Sequence, residues 1–197
     1  MLRLSLTDIV KKGGGFLHFK DNKEEIKRRA AFAVLIVFTA VLQNTGGLFP
    51  KIFGAGAMLL VPLTVCIAMF ENDVGGMMFG LLSGVIWDFY SPYTDGFYAI
   101  ILIAAGYAGS FLIARYMRNN VVTATVYCAV ASFLCATLYF LIFILPKSGE
   151  GAGRAYLRFY LVSVIYTVLL TPLYYFFVRM IAVKFMKEDT EAEDERL

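Results

Sequence analysis

The chain has 197 residues, 59% of them apolar and 17% charged, with a formal net charge of +3. Soluble domains average about 45–50% apolar and about 25% charged residues, and a soluble chain of the present make-up would expose apolar patches and aggregate. A soluble enzyme, a secreted disulfide domain and a disordered protein are thereby excluded, and with no continuous basic face there is no nucleic-acid partner.

Residues 1–29 form a polar, basic start. Gly13, Gly14 and Gly15 break it, and the short patch Phe16-Leu17-His18-Phe19 follows. It is expected to be a cytoplasmic segment, either free or touching lipid headgroups. The basic region is too long for a cleaved signal peptide.

Six apolar segments come next. They run over about 30–48, 55–70, 74–90, 96–116, 121–145 and 158–183. A membrane span needs ~20 residues. Segments two and three are separated only by Glu71-Asn72-Asp73, so they are predicted to form a tight hairpin. The fold class expected is all-α, a compact bundle of about six transmembrane helices over 30–186, or five if the second segment is re-entrant. Pro62 and Pro172 are candidate kinks. The last residues, 187–197, are an acidic cytoplasmic tail with Glu188, Asp189, Glu191, Glu193, Asp194 and Glu195.

Orientation follows from Lys and Arg. With the N-terminus inside, fourteen basic residues fall in cytoplasmic pieces. Only Lys51, Lys147, Arg154 and Arg158 fall outside. The positive-inside rule then favours both termini in the cytoplasm.

Few side chains carry chemistry. Cys66, Cys128 and Cys135 lie in apolar runs and His18 is remote, so no metal-ligand spacing exists and the thiols are expected to be small buried residues. No Ser-His-Asp set, HExxH, Walker A or paired intramembrane carboxylate is present. The chain is expected to be neither an enzyme nor a cofactor protein.

Asp88, near the outer end of span three, stands out, because a carboxylate at that depth needs a partner or water. Gly76, Gly80, Gly84 and Asp88 are four apart and share one helix face. Glycines at that spacing let a neighbouring backbone come close, and span four offers Gly106, Ser110 and Ala114 in answer. Asp88 is expected to bond the turn Ser91-Pro92-Tyr93-Thr94-Asp95-Gly96; contact with a ligand or partner is the alternative. Asn44, Trp87 and Tyr90 are the other polar or aromatic candidates at that end. Trp87 and Tyr90 read as interface-belt aromatics rather than a stacking platform, and the amides of Gln43 and Asn44 as groups that bridge helices or bond the loop.

The stretch Gly80-Leu81-x-x-Gly84-x-x-x-Asp88, with Gly96 eight residues on and then Gly106-Tyr107, resembles the rod shape-determining protein MreD family. Residues 74–116 carry the resemblance most closely. The chain departs from the family where a proline often opens the second span: Gly54-Ala55-Gly56 stands there, and the proline comes at Pro62. The resemblance implies a non-enzymatic scaffold of the cell-elongation machinery. Its implied partners are an MreC-like protein, the MreB cytoskeleton, RodA with a penicillin-binding synthase, and membrane lipid.

The family is also similar in fold to the substrate-binding S-components of energy-coupling-factor transporters, which makes uptake of a vitamin or other small ligand the runner-up. The Ala-x-x-x-Ala docking motif typical of those proteins is missing. Ala30, Ala31, Ala33 and Ala40 are followed four residues on by Val34, Leu35, Val37 and Asn44.

Overall fold

A computed structural model describes residues 22–45, 56–91, 96–117, 119–147, 153 and 156–194. All regular structure among them is helical. Helix α1 is Asn22–Asn44, α2 Leu60–Ala68, α3 Asp73–Tyr90, α4 Phe97–Arg115, α5 Val121–Tyr139 and α6 Leu161–Asp194. Three stretches are long and apolar enough to cross a membrane: Phe97–Arg115, Val121–Ile144 and Leu161–Lys184. The chain is a membrane protein with an all-helical fold.

The helix boundaries differ from the apolar boundaries. The expected division at residues 29 and 30 falls inside α1, which begins at Asn22. Only the solvent changes there, because the polar residues Lys23 to Arg29 are good helix formers. Residues 1–21 and 195–197 lie outside the described part, and with them most of the expected basic segment.

Helix α2 is nine residues long and every one is buried. At 1.5 Å per residue it covers about 14 Å, roughly half a hydrocarbon core. Its sequence, LVPLTVCIA, is apolar all round, as a helix in the middle of a bundle must be, and it packs against all five other helices. Pro62 sits in its first turn, where the missing N–H costs nothing, so no kink is required there.

A buried helix must satisfy its free end groups with side chains. At the N-terminal end the Gln43 side-chain oxygen accepts the Leu60 N–H at 3.0 Å, and Thr167 accepts the Met58 N–H at 2.9 Å. At the C-terminal end Ser110 donates to the Ala68 carbonyl at 2.7 Å, and Asn119 to that of Met69 at 2.9 Å. Tyr175 in turn holds the Asn119 side chain at 3.0 Å. The amide of Gln43 thus bridges helices α1 and α2.

The turn between α2 and α3 is the tight hairpin foreseen from Glu71-Asn72-Asp73. Asn72 caps α3 by accepting the Gly75 N–H at 2.8 Å, and Asp73 lies in the first turn, where negative charge is favoured by the helix dipole. Helix α5 runs on through a wide π turn at Phe140–Ile144, and a second π turn at Tyr156–Tyr160 leads into α6. Pro172 lies inside α6, which continues unbroken past it. Cys66, Cys128 and Cys135 are free and buried. The outward faces carry large apolar side chains such as Val34, Met78, Ile100, Val126 and Leu169.

Candidate functional site: the capped seam between α3 and α4

Helices α3 and α4 meet backbone to backbone. A Cβ built on Gly80 would fall on the Leu102 carbonyl, one on Gly84 on the Cα of Ala99, and one on Gly106 on the Gly76 carbonyl. On Gly76 it would meet the Ser110 hydroxyl, which lies between the helices. No side chain longer than hydrogen fits at these places without moving main chain. The small-residue face read from the four-residue spacing is therefore the contact surface, with Gly106 and Ser110 in answer as expected.

The same geometry explains Asp88. Gly96 opens α4 with φ of 89°, a left-handed conformation that glycine adopts freely. It reverses the chain, but it has no side chain to cap the helix. Asp88 supplies the cap from the neighbouring helix. Its Oδ1 accepts the Tyr98 N–H at 3.2 Å and its Oδ2 the Ala99 N–H at 2.9 Å. These are the second and third residues of α4, the donors an Asp or Ser at the N-cap would take. A carboxylate at a helix N-terminus is favoured by the dipole as well.

Each motif residue thus has a task. Gly84 brings the two helices close enough, Asp88 one turn later closes the exposed end of α4, and Gly96 makes the turn. The Tyr98 and Ala99 donors to Asp88 belong to the first turn of α4. The sequence placed the carboxylate at the right corner without revealing that Gly96 leaves α4 without a side-chain cap of its own. Residues 92–95 of the expected turn lie outside the described part.

Trp87 is not a belt residue. It is buried, and its ring lies parallel to that of Tyr98, with centroids 4.0 Å apart and planes 2° apart. Tyr98 continues the stack to Tyr139, and Phe97 meets Tyr139 and Phe143 edge-on. Facing the π turns, Phe140 packs on Tyr156 and Tyr160, and Tyr156 shares a hydrogen bond of 2.7 Å with Thr137. Tyr90 is 56% exposed. Asn44 turns its amide back to the Ala40 carbonyl at 2.8 Å. Leu81 and Tyr107, grouped with the motif, face outward at 39% and 46% exposure and take no part in the seam.

The opposite end of the bundle holds a cluster that sequence reading missed. Glu71, with a side chain 1% exposed, meets Arg28 at 2.9 Å and lies 3.7 Å from Arg29. Arg29 also binds Glu25 at 2.6 Å, and Arg115 binds Asp73 at 3.2 Å. Arg28 and Glu71 read as loop charges, and nothing in their spacing along the chain pairs them. Among the described residues no group of His, Cys, Asp or Glu is arranged to hold a metal ion. No family model, curated relative or solved structure matches the chain.

Proposed function

We propose that this protein is a non-enzymatic scaffold of the cell-elongation machinery, of the MreD kind, that supports an MreC-like protein and the peptidoglycan synthases beside it. One observation carries the reading. The residues Gly80, Gly84, Asp88 and Gly96, on which the resemblance to the MreD family rests, work as one device that locks α3 to α4. A motif spent on a rigid helix pair suits a protein whose task is to present a surface. Both carboxylate oxygens of Asp88 accept backbone N–H groups of α4, which suits a shape-holding role.

In this reading the bundle is a six-span inner-membrane protein with both termini in the cytoplasm. The fourteen-to-four bias of basic residues supports that orientation. The partners implied are the MreC-like protein, RodA with its penicillin-binding synthase, and MreB.

The test is complementation. In a rod-shaped bacterium depleted of its own MreD, expression of this chain should restore rod shape, and tagged protein should copurify with the MreC-like partner. Spherical cells at normal membrane abundance would overturn the proposal, as would copurification with an energy-coupling transporter module. A periplasmic signal from a reporter fused to either terminus would overturn the orientation.

A further inference from the structure

We propose that the outward face of α6 around Arg179 docks one membrane-spanning helix of a partner protein, a helix that carries a carboxylate within its apolar span. Arg179 is the single charged residue in the interior of the three stretches apolar enough to cross a membrane. Arg115 and Lys184 stand at the ends of theirs. Arg179 is also exposed. A charge at such a place is costly and calls for a counter-charge.

The chain offers it none among the described residues. Glu25 is bound to Arg29, Glu71 to Arg28 and Asp73 to Arg115, and Asp88 accepts from the backbone of α4. Tyr175, one turn before Arg179, gives its hydroxyl to Asn119. The next acid along α6 is Glu188, about 13 Å further down the axis.

A lipid phosphate is a poor match. A helical side chain leaves the backbone tilted toward the helix N-terminus, and Arg179 stands near the C-terminal end of its stretch, which closes at Lys184. Its side chain therefore sets out toward the middle of the bilayer, away from the nearer headgroups. The surroundings suit a helix instead. Phe176, Phe177 and Met180 are exposed beside it, and Phe, Met and Arg are enriched where proteins meet. Leu169, Leu173, Phe176, Met180 and Val183 are all exposed, spaced by four and three residues in turn, so a second helix can lie along them. A second copy of this chain is disfavoured. A two-fold axis along the membrane normal would set Arg179 against itself, and like charges opposed across an interface suppress pairing. The inference does not depend on the scaffold reading.

The test uses the full chain in phosphatidylcholine vesicles with synthetic leucine-based spanning peptides that carry one Glu, or one Gln, about a turn inside one end. Energy transfer from Trp87, the single tryptophan, to a dansyl group on the peptide reads association. The Glu peptide should bind about fivefold more tightly than the Gln peptide, the weight of one polar contact between membrane helices. Arg179→Gln should remove that preference, and Arg179→Lys should keep most of it. Met180→Ala should weaken both peptides alike, whereas Val126→Ala, on the outward face of α5, should weaken neither. Equal binding of the two peptides would overturn the proposal and leave Arg179 to a lipid phosphate. A preference that survived Arg179→Gln would overturn it as well. Disulfide pairing of copies through Leu173→Cys would put a second copy on this face and reject the partner helix.

Discussion

Helices α3 and α4 are joined by removing side chains, whereas the π turns that follow α5 and lead into α6 are joined by adding them. In the first pair Gly76, Gly80, Gly84 and Gly106 bring main chain onto main chain. In the second, Phe140, Tyr156 and Tyr160 fill the space with rings, and π turns widen the backbone to carry them. The first contact is rigid because backbone cannot rotate away. The second rests on side chains that can repack, at a cost in area rather than in clashes. The difference assigns shape to the first pair and adaptability to the second.

The largest effect should come from enlarging the seam. Gly84→Leu should destabilise by about 3 kcal/mol or more, since the new side chain meets the main chain of Ala99. Even Gly84→Ala should destabilise, although glycine to alanine inside an ordinary helix gains about 1 kcal/mol. Thermal unfolding in detergent measures both. The emission of Trp87, the single tryptophan, reports whether the seam has opened. A stabilised Gly84→Ala protein would erase the contrast between the pairs.

The cap comes next. Asp88→Leu leaves the Tyr98 and Ala99 N–H groups without their acceptor, at about 1–3 kcal/mol. Asp88→Asn keeps one acceptor oxygen and should cost about 1 kcal/mol. Membrane abundance and unfolding temperature separate the two variants. If Asn abolished function while abundance and partner binding stayed normal, the carboxylate would have to be a charge-dependent site.

Smaller losses are expected at the aromatic pair. Phe140→Leu keeps an apolar side chain of similar bulk and should cost about 1 kcal/mol, mostly the ring contacts. Tyr156→Phe removes the bond to Thr137, at about 1 kcal/mol or less. If Phe140→Leu unfolded the protein as Gly84→Leu should, the contact between the π turns would be as rigid as the seam. Leu81→Ala, on the outward face of α3, should leave unfolding in detergent unchanged within about 0.5 kcal/mol.

The seam was legible because its signal is local. Four-residue spacing puts Gly76, Gly80, Gly84 and Asp88 on one face whatever the rest of the chain does. The all-helical fold was legible from composition and segment length. Other features rest on contacts far apart in sequence. Trp87 reads as a belt residue until Tyr98 covers it. The burial of α2 follows from the five helices around it, which its own nine residues do not reveal. The Arg28–Glu71 pair joins one helix start to a later turn, and both residues look like ordinary loop charges when read alone.

The capped seam also bears on how the chain enters a bilayer. Helix α3 has an acid in its first turn, another in its last, and four glycines, and it is not one of the three strongly apolar stretches. Alone it gains little from lipid and brings Asp88 in at a cost. Helix α4 is strongly apolar, but alone it carries an uncapped N-terminus into the interface. Each removes the other's defect, and the residues that do so lie within about a dozen positions of one another. The two helices are therefore a single unit of insertion, and a break in the pairing should show first as α3 left behind in water.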